Sequence, residues 1–326
     1  MRQLLLPAML GVAAVFAGLS PQEAEARSCE AVAADVASAS SAADTGRLIA
    51  LYNEAREADP PCSDRYRICL GRAVAHGFVD RAYGAHDAGR PEAEIESLLV
   101  EAIDWSQTWK VLLAFAELAD EQKRYDDAAR YYQAALNDLD DNIVCPGEEA
   151  GIPDERGLRA IFERATVAGL LSKDFVEPPR DRSNDPGGIF LSSVRGVAPV
   201  ERSLPVEFEY DSAAFTPKGA RAAEALAGYI VRNKEKYPAV RLSGHTDERG
   251  SAPYNCALSE RRLAAIADYL YAHGVPVEIA FELVPQGEHV PIHLDDPSRY
   301  SAEEIYQVNR RVALIEGHEP IAGACQ

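Results

Sequence analysis

Leu242-Ser-Gly-His-Thr-Asp-Glu-Arg-Gly250, continued by Tyr254-Asn255 and by Leu258-Ser-Glu-Arg-Arg262, is the stretch around which the rest of the chain is organised. Val240-Arg-Leu242-Ser reads as a strand that runs into Gly244-His-Thr-Asp247. Gly244 and Gly250 permit close approach and unusual backbone angles in the loop. A helix is predicted from Cys256 to His273, closed by Gly274, with Leu263, Ile266 and Leu270 as its apolar stripe and Arg262 on the flank. Outward from this strand, loop and helix, Val206-Glu-Phe208-Glu-Tyr210 alternates as a strand. Thr216-Pro217 supplies an N-cap and a first-turn proline for a helix to about Lys236. Further strands are predicted over Val277 to Val284 and Arg310 to Ile315. Two helices alternating with strands on an open sheet make residues 204–318 an α/β sandwich.

Asp247 lies just past a strand end, and Arg262 follows in the first turns of the next helix. A return of this length brings the two side by side, next to the backbone N–H groups of a helix start near Asn255. Carboxylate, planar guanidinium and helix N-terminus together suit an amino acid's free ammonium and carboxylate. Asp247 would take the ammonium and Arg262 the carboxylate, with Asn255 and Asp211 adding hydrogen bonds from the rim. The alternative is a surface ion pair worth about 0 to 1 kcal/mol. The residues by themselves leave both readings open.

The span Phe208 to Ile315 resembles the OmpA-like peptidoglycan-binding domain, in particular that of peptidoglycan-associated lipoproteins. The resemblance rests on Gly244-His-Thr-Asp-Glu-Arg-Gly250, Tyr254-Asn255, Leu258-Ser-Glu-Arg-Arg262 and the closing Asn309-Arg-Arg-Val312. It implies the OmpA C-terminal-like fold and a ligand, the diaminopimelate of the wall's stem peptide, whose side-chain end carries a free amine and carboxylate. The family's binding Asp and Arg fall on Asp247 and Arg262, a further Asp on Asp211, and the Asn of the Tyr-Asn pair on Asn255. Thr246, Gly244, Asn309 and Arg310 are then supporting residues. The chain departs from these relatives in showing neither a lipid-attachment Cys nor a preceding β-barrel, so their outer-membrane anchorage does not carry over directly.

Upstream, residues from Ser28 to about Lys173 are Ala- and Leu-rich with apolar residues at helical spacing. Phe115-Ala116, Tyr125-Asp-Asp-Ala128 and Tyr132-Gln-Ala-Ala135 resemble a tetratricopeptide repeat, with a weaker copy over Tyr83 to Ala102. Gly89 and Lys123 take equivalent turn positions 34 residues apart. A third, out-of-phase unit would centre on Thr45-Gly46-Arg47, and Leu158 to Leu171 would cap the stack. Trp105 and Trp109 are expected one turn apart in the core. The organisation predicted is a signal peptide over 1–26, an all-α tetratricopeptide-like domain over 27–175, a Pro- and Gly-rich linker over 176–203, the sandwich over 204–318 and a tail over 319–326.

Arg2, the apolar run Leu4 to Leu19 and Ala24-Glu-Ala26 form the signal peptide, so the mature chain is expected in the periplasm and not membrane-spanning, and the resemblance implies that it is wall-associated there. A net charge of -19 over 326 residues argues against nucleic acid. Six cysteines in an exported chain favour disulfides. Segregation between domains pairs Cys256 with Cys325 and leaves Cys29, Cys62, Cys69 and Cys145 to one another. Their spacings match no zinc pattern, and neither metal nor cofactor is expected. No G-x-S-x-G, H-E-x-x-H or phosphate loop occurs, and His245 reads as a packed strand-end residue, so the expectation is a binding protein and not an enzyme. The helical repeats would hold a protein partner or act as a spacer. The competing reading is a periplasmic interaction scaffold in which the repeats carry the main function.

Overall fold

The computed structural model describes residues 29, 35–58, 62–140, 145, 151–180, 184, 186–191, 193–197, 201–315 and 325. The predicted signal peptide and the tail, apart from Cys325, lie outside them. Contacts divide the described residues into two compact units, one drawn from 1–118 and 141–157, the other from 119–140 and 158–326. Among the described residues no helix is long and apolar enough to cross a membrane.

The first unit is helical: α1 (Thr45–Glu57), α2 (Asp64–Asp87), α3 (Glu92–Trp105) and most of α4 (Trp109–Glu121). Leu48, Leu51, Val74, Val79 and Leu99 are fully buried. Small residues set the helix spacing: a Cβ on Gly77 would lie 3.0 Å from Leu48 Cδ1 and 3.2 Å from Thr45 Cγ2. Disulfides join Cys29 to Cys62 and Cys69 to Cys145. Trp105 and Trp109 do not share a helix, because residues 106–108 break it; Trp105 packs edge-on against Tyr52 and Trp109 near His76.

One turn recurs along the helical part. After α2, Arg90 N bonds Ala85 O (2.9 Å) and Gly89 N bonds His86 O (2.9 Å). After α4, Arg124 N bonds Ala119 O (2.8 Å) and Lys123 N bonds Asp120 O (3.0 Å). Before α1, Asp44 N bonds Ala39 O (2.9 Å) and Ala43 N bonds Ser40 O (3.1 Å). All three are Schellman caps with a left-handed residue at the same position: Ala43 (φ 49°), Gly89 (φ 64°) and Lys123 (φ 56°). The first of these turns therefore centres on Ala43, upstream of the Thr45-Gly46-Arg47 that the sequence suggested; Thr45 already begins α1 behind its Asp44 cap.

The second unit carries α5 (Tyr125–Asp140), α6 (Glu155–Leu171, from Leu158 on), α7 (Pro217–Arg232), α8 (Ala252–Ala272) and α9 (Ala302–Asn309). Its sheet has β1 (Glu201–Leu204), β2 (Ala239–His245), β3 (Ala280–Gly287) and β4 (Val312–Ile315) in the order β1-β4-β2-β3. β4 runs antiparallel to both neighbours, and β2 pairs parallel with β3. The first strand comes earlier than the alternation of Val206 to Tyr210 predicts. Those residues leave the sheet and enter a turn closed by the Phe208 and Phe215 bridge, because Gly219 of α7 presses on the Glu207 backbone so closely that no Cβ fits. α9 was not foreseen; its Ser301 and Glu304 form a reciprocal capping box. Starting α9 there also shortens the last strand, so Arg310 caps a helix and does not sit in β4.

The end of α6 is fastened to the sheet-bearing part. Lys218, 4% exposed, donates to Leu170 O (2.9 Å), Ser172 O (2.6 Å) and Glu207 Oε1 (2.8 Å). Gln307 Nε2 donates to the same Leu170 carbonyl (2.8 Å). Val167, Leu170 and Leu171 pack with Val308, Ile292 and Leu294. The orphan carbonyls at a helix end thus find donors on α7 and α9.

Candidate functional site

β2 is one of the two inner strands, and from Val240 to Asp247 every residue is buried. At its end the register with β3 slips between Gly244 and His245, a bulge that turns the chain out of the sheet into the loop. The first loop residue is still tethered, Thr246 N to Gly287 O at 2.8 Å. A Cβ on Gly244 would lie 2.8 Å from Leu263 Cγ and 3.2 Å from Ser259 O. Glycine there lets α8 lie directly on the strand end, and this close approach brings Arg262 to the loop that carries Asp247.

Asp247 is 7% exposed. Its Oδ1 accepts from Arg249 N (3.0 Å), and its Oδ2 from Arg249 Nη2 (2.8 Å) and Arg310 Nη1 (2.8 Å). Burial alone would raise this carboxyl, but the hydrogen bonds from Arg249 and Arg310 outweigh it and hold it below its ordinary value. Arg249 also reaches Glu303 (3.3 Å) and lies 4.5 Å over the Tyr306 ring. Arg310 contacts the other oxygen of Glu303 at 3.2 Å. The result is a ring of two guanidinium groups between two carboxylates.

Arg262 is 4% exposed and sits 5.1 Å over the Phe208 ring, which itself stacks on Phe215. Its Nε donates to Ser212 O at 3.0 Å, within the 208–215 turn. Among the described residues no acceptor is paired with its two Nη groups. Burial, and next the charge of Arg310, push Arg262 down to about 10, with Asp247 and Asp211 acting the other way. Asp247 and Arg262 therefore feel one another without forming a direct ion pair: the acid is bonded to Arg249 and Arg310, while the guanidinium fork is left open.

The other predicted residues have separate placements. Asn255, 2% exposed, donates its amide to Asp247 O (3.2 Å), Arg249 O (3.3 Å) and a Glu288 carboxylate oxygen, so it holds the loop's shape. Asp211 takes a left-handed conformation (φ 54°) at the exposed tip of the 208–215 turn. Thr246 is buried and its hydroxyl has no hydrogen-bond partner among the described residues. Asn309 accepts from Ile292 N (2.8 Å) and donates to Ile305 O (2.9 Å), bracing the loop before α9. The Cys256 to Cys325 disulfide is formed, against the left-handed Gly287. Sequence reasoning missed Arg249, Glu303 and Ser212. Arg249 stood in the quoted motif, and Glu303 lay inside the Ser301-x-x-Glu304 capping pattern.

His245 is 2% exposed, with Nδ1 on Val290 O (3.1 Å) and Nε2 facing both Ser243 Oγ (3.0 Å) and Glu201 Oε1 (3.1 Å). Serine and acid share one ring nitrogen, so the imidazole cannot relay a proton from one to the other as a Ser-His-acid triad does. Burial, first of all, keeps the ring's pKa below its ordinary value.

Residues 207–303 match the OmpA family, so an OmpA family domain occupies the C-terminal part of the chain. The peptidoglycan-associated lipoprotein of Pseudomonas putida is 40% identical over 108 residues, covering 33% of this chain and 59% of that protein. The peptidoglycan-associated lipoprotein of Brucella melitensis is 27% identical over 164 residues, covering 48% of this chain and 88% of that protein. The chain thus spans little more than half the length of the Pseudomonas relatives, 59% and 58%. Among solved structures, the crystal structure of the peptidoglycan-associated lipoprotein from Burkholderia pseudomallei is similar at 27% identity, covering 35% of this chain and 87% of that chain with a TM-score of 0.29.

Proposed function

We propose that the C-terminal domain binds peptidoglycan non-covalently in the periplasm, taking the zwitterionic end of a diaminopimelate side chain between Asp247 and Arg262. The observation that carries this reading is Arg262: a guanidinium almost wholly buried, with only its Nε bonded among the described residues. A buried cation with an unfilled planar fork is costly unless an anion completes it. A carboxylate bound there would offset the burial, and next the repulsion from Arg310, that now depress its pKa. Asp247, kept ionised by its neighbours, supplies the complementary charge for an ammonium. Wall association in the cell envelope also agrees with the OmpA family match and with the names of the relatives. The recurrent Schellman turns support reading the helical part as tetratricopeptide-like repeats that position a protein partner or act as a spacer.

The test is co-sedimentation of the full chain with purified sacculi. Asp247→Ala and Arg262→Ala are each expected to lower binding by more than about ten-fold, the range for truncating one partner of a buried charged contact. Arg262→Lys should fail as well, since a point donor lacks the fork. Walls with lysine in place of diaminopimelate, which lack the side-chain carboxylate, should bind far less. Wild-type binding by both alanine variants would reject the site.

A further inference from the structure

We infer that Arg249 is an internal competitor for the ligand's ammonium, and that Glu303 is the carboxylate that receives Arg249 when the ligand enters. The inference rests on the reading of Asp247 and Arg262 just given, and adds how that site chooses a zwitterion. Asp247 Oδ2 already accepts two guanidinium N–H groups, and Oδ1 accepts a backbone N–H. One lone-pair site thus remains on Oδ1, but an arriving ammonium that engages Oδ2 as well has to displace one of its two guanidinium donors. Arg249 is the one placed to leave. Its side chain is 41% exposed against 27% for Arg310, and it hangs from a loop, whereas Arg310 is held at the junction of α9 and β4.

A place for the displaced guanidinium already exists. Arg249 Nη1 is 3.3 Å from Glu303 Oε2, and its guanidinium lies over Tyr306. Swinging off Asp247 therefore leaves Arg249 one ion pair and one ring contact. The backbone bond from Arg249 N to Asp247 Oδ1 is independent of the side chain, so the loop keeps its shape during the exchange. An amine without a carboxylate would replace one charge pair on Asp247 by another and offer the displaced guanidinium nothing. A zwitterion makes the same replacement and also brings its own carboxylate into the cluster of Arg249, Arg262 and Arg310, a net gain of one charge pair. Discrimination against ligands with an amine alone then comes from the protein's own cation as much as from Arg262.

The experiment is calorimetric titration of meso-diaminopimelate into the full chain, repeated with cadaverine, a diamine without carboxylates, as the amine-only control. Partly exposed ion pairs contribute little each, so the expected effects are about two- to five-fold. Arg249→Ala and the longer Arg249→Gln should tighten diaminopimelate binding and narrow the preference over cadaverine. Glu303→Gln should weaken binding, and that effect should vanish in the Arg249→Ala background. Both positions are exposed, and an unchanged melting temperature checks that the fold is kept. Undiminished binding by Asp247→Ala would overturn the site itself. Loss of binding by Asp247→Ala with weakened or unchanged binding by Arg249→Ala would leave the site standing and overturn the competitor role.

Discussion

Substituting Gly244 by alanine tests the close contact on which the site's geometry depends. The added methyl would lie 2.8 Å from Leu263 Cγ, 3.1 Å from Leu263 Cδ1 and 3.2 Å from the Ser259 carbonyl. Carbon atoms in good contact sit about 3.5 to 4.0 Å apart, so α8 has to back away from β2 by several tenths of an ångström. Leu263 is fully buried, as are Leu242 and Ile266, so the side chain has little room to turn aside. Overpacking of this kind costs about 1–3 kcal/mol. Gly244 is not held in a left-handed conformation, so the smaller entropy of the unfolded alanine chain returns about 0.4–1 kcal/mol. The steric loss is the larger, and the net destabilisation expected is about 1–2 kcal/mol. Urea denaturation of the full chain, followed by the transition of the C-terminal unit, measures it. Removing the obstructing γ-carbon with Leu263→Ala should recover part of the loss in the double variant, although Leu263→Ala alone destabilises. Because Arg262 precedes Leu263, sacculus binding should fall together with stability. A Gly244→Ala protein as stable as wild type, with wild-type binding, would show that α8 does not need this approach.

Two further outcomes follow from buried charge. Glu201 is pulled down to about 2: burial alone would raise it, but the His245 and Ser243 hydrogen bonds and Arg311 prevail. A depressed carboxyl contributes stability above its unfolded value near 4.5 and loses it as pH falls toward 2. His245, whose folded pKa is also depressed, adds a loss of the same sign beginning near 6.5. Acid denaturation monitored by circular dichroism should show Glu201→Gln less stable at neutral pH and less sensitive to pH between about 4.5 and 2; parallel curves would refute this. Lys218→Met removes the donor shared by Leu170 O, Ser172 O and Glu207, taking the ammonium from the Ser172 carbonyl and leaving Leu170 O to Gln307 at the end of α6. A loss of about 2–4 kcal/mol is expected in chemical denaturation, and a change within about 0.5 kcal/mol would mean that water replaces the ammonium.

What the chain determines locally was readable in it. Thr216-Pro217 capped α7 where its residue types demand, Gly274 ended α8 at φ 95°, and Gly89 and Lys123 marked equivalent turns. Asp247 and Arg262 could be picked out because the strand, loop and helix that bring them together lie within one short stretch. What escaped was set by parts distant in sequence. The alternation of Val206 to Tyr210 is a sound strand signal, yet the pressure of α7 on Glu207 turns it into the wall beneath Arg262 and hands the edge of the sheet to Glu201–Leu204. Asp247 pairs with Arg310, 63 residues away, and through Arg249 with Glu303, on a helix with no marked apolar run to announce it. Period and capping are properties of neighbouring residues, so a sequence displays them. Which guanidinium reaches a carboxylate depends on how far apart two packed elements lie, and only the folded chain settles that distance.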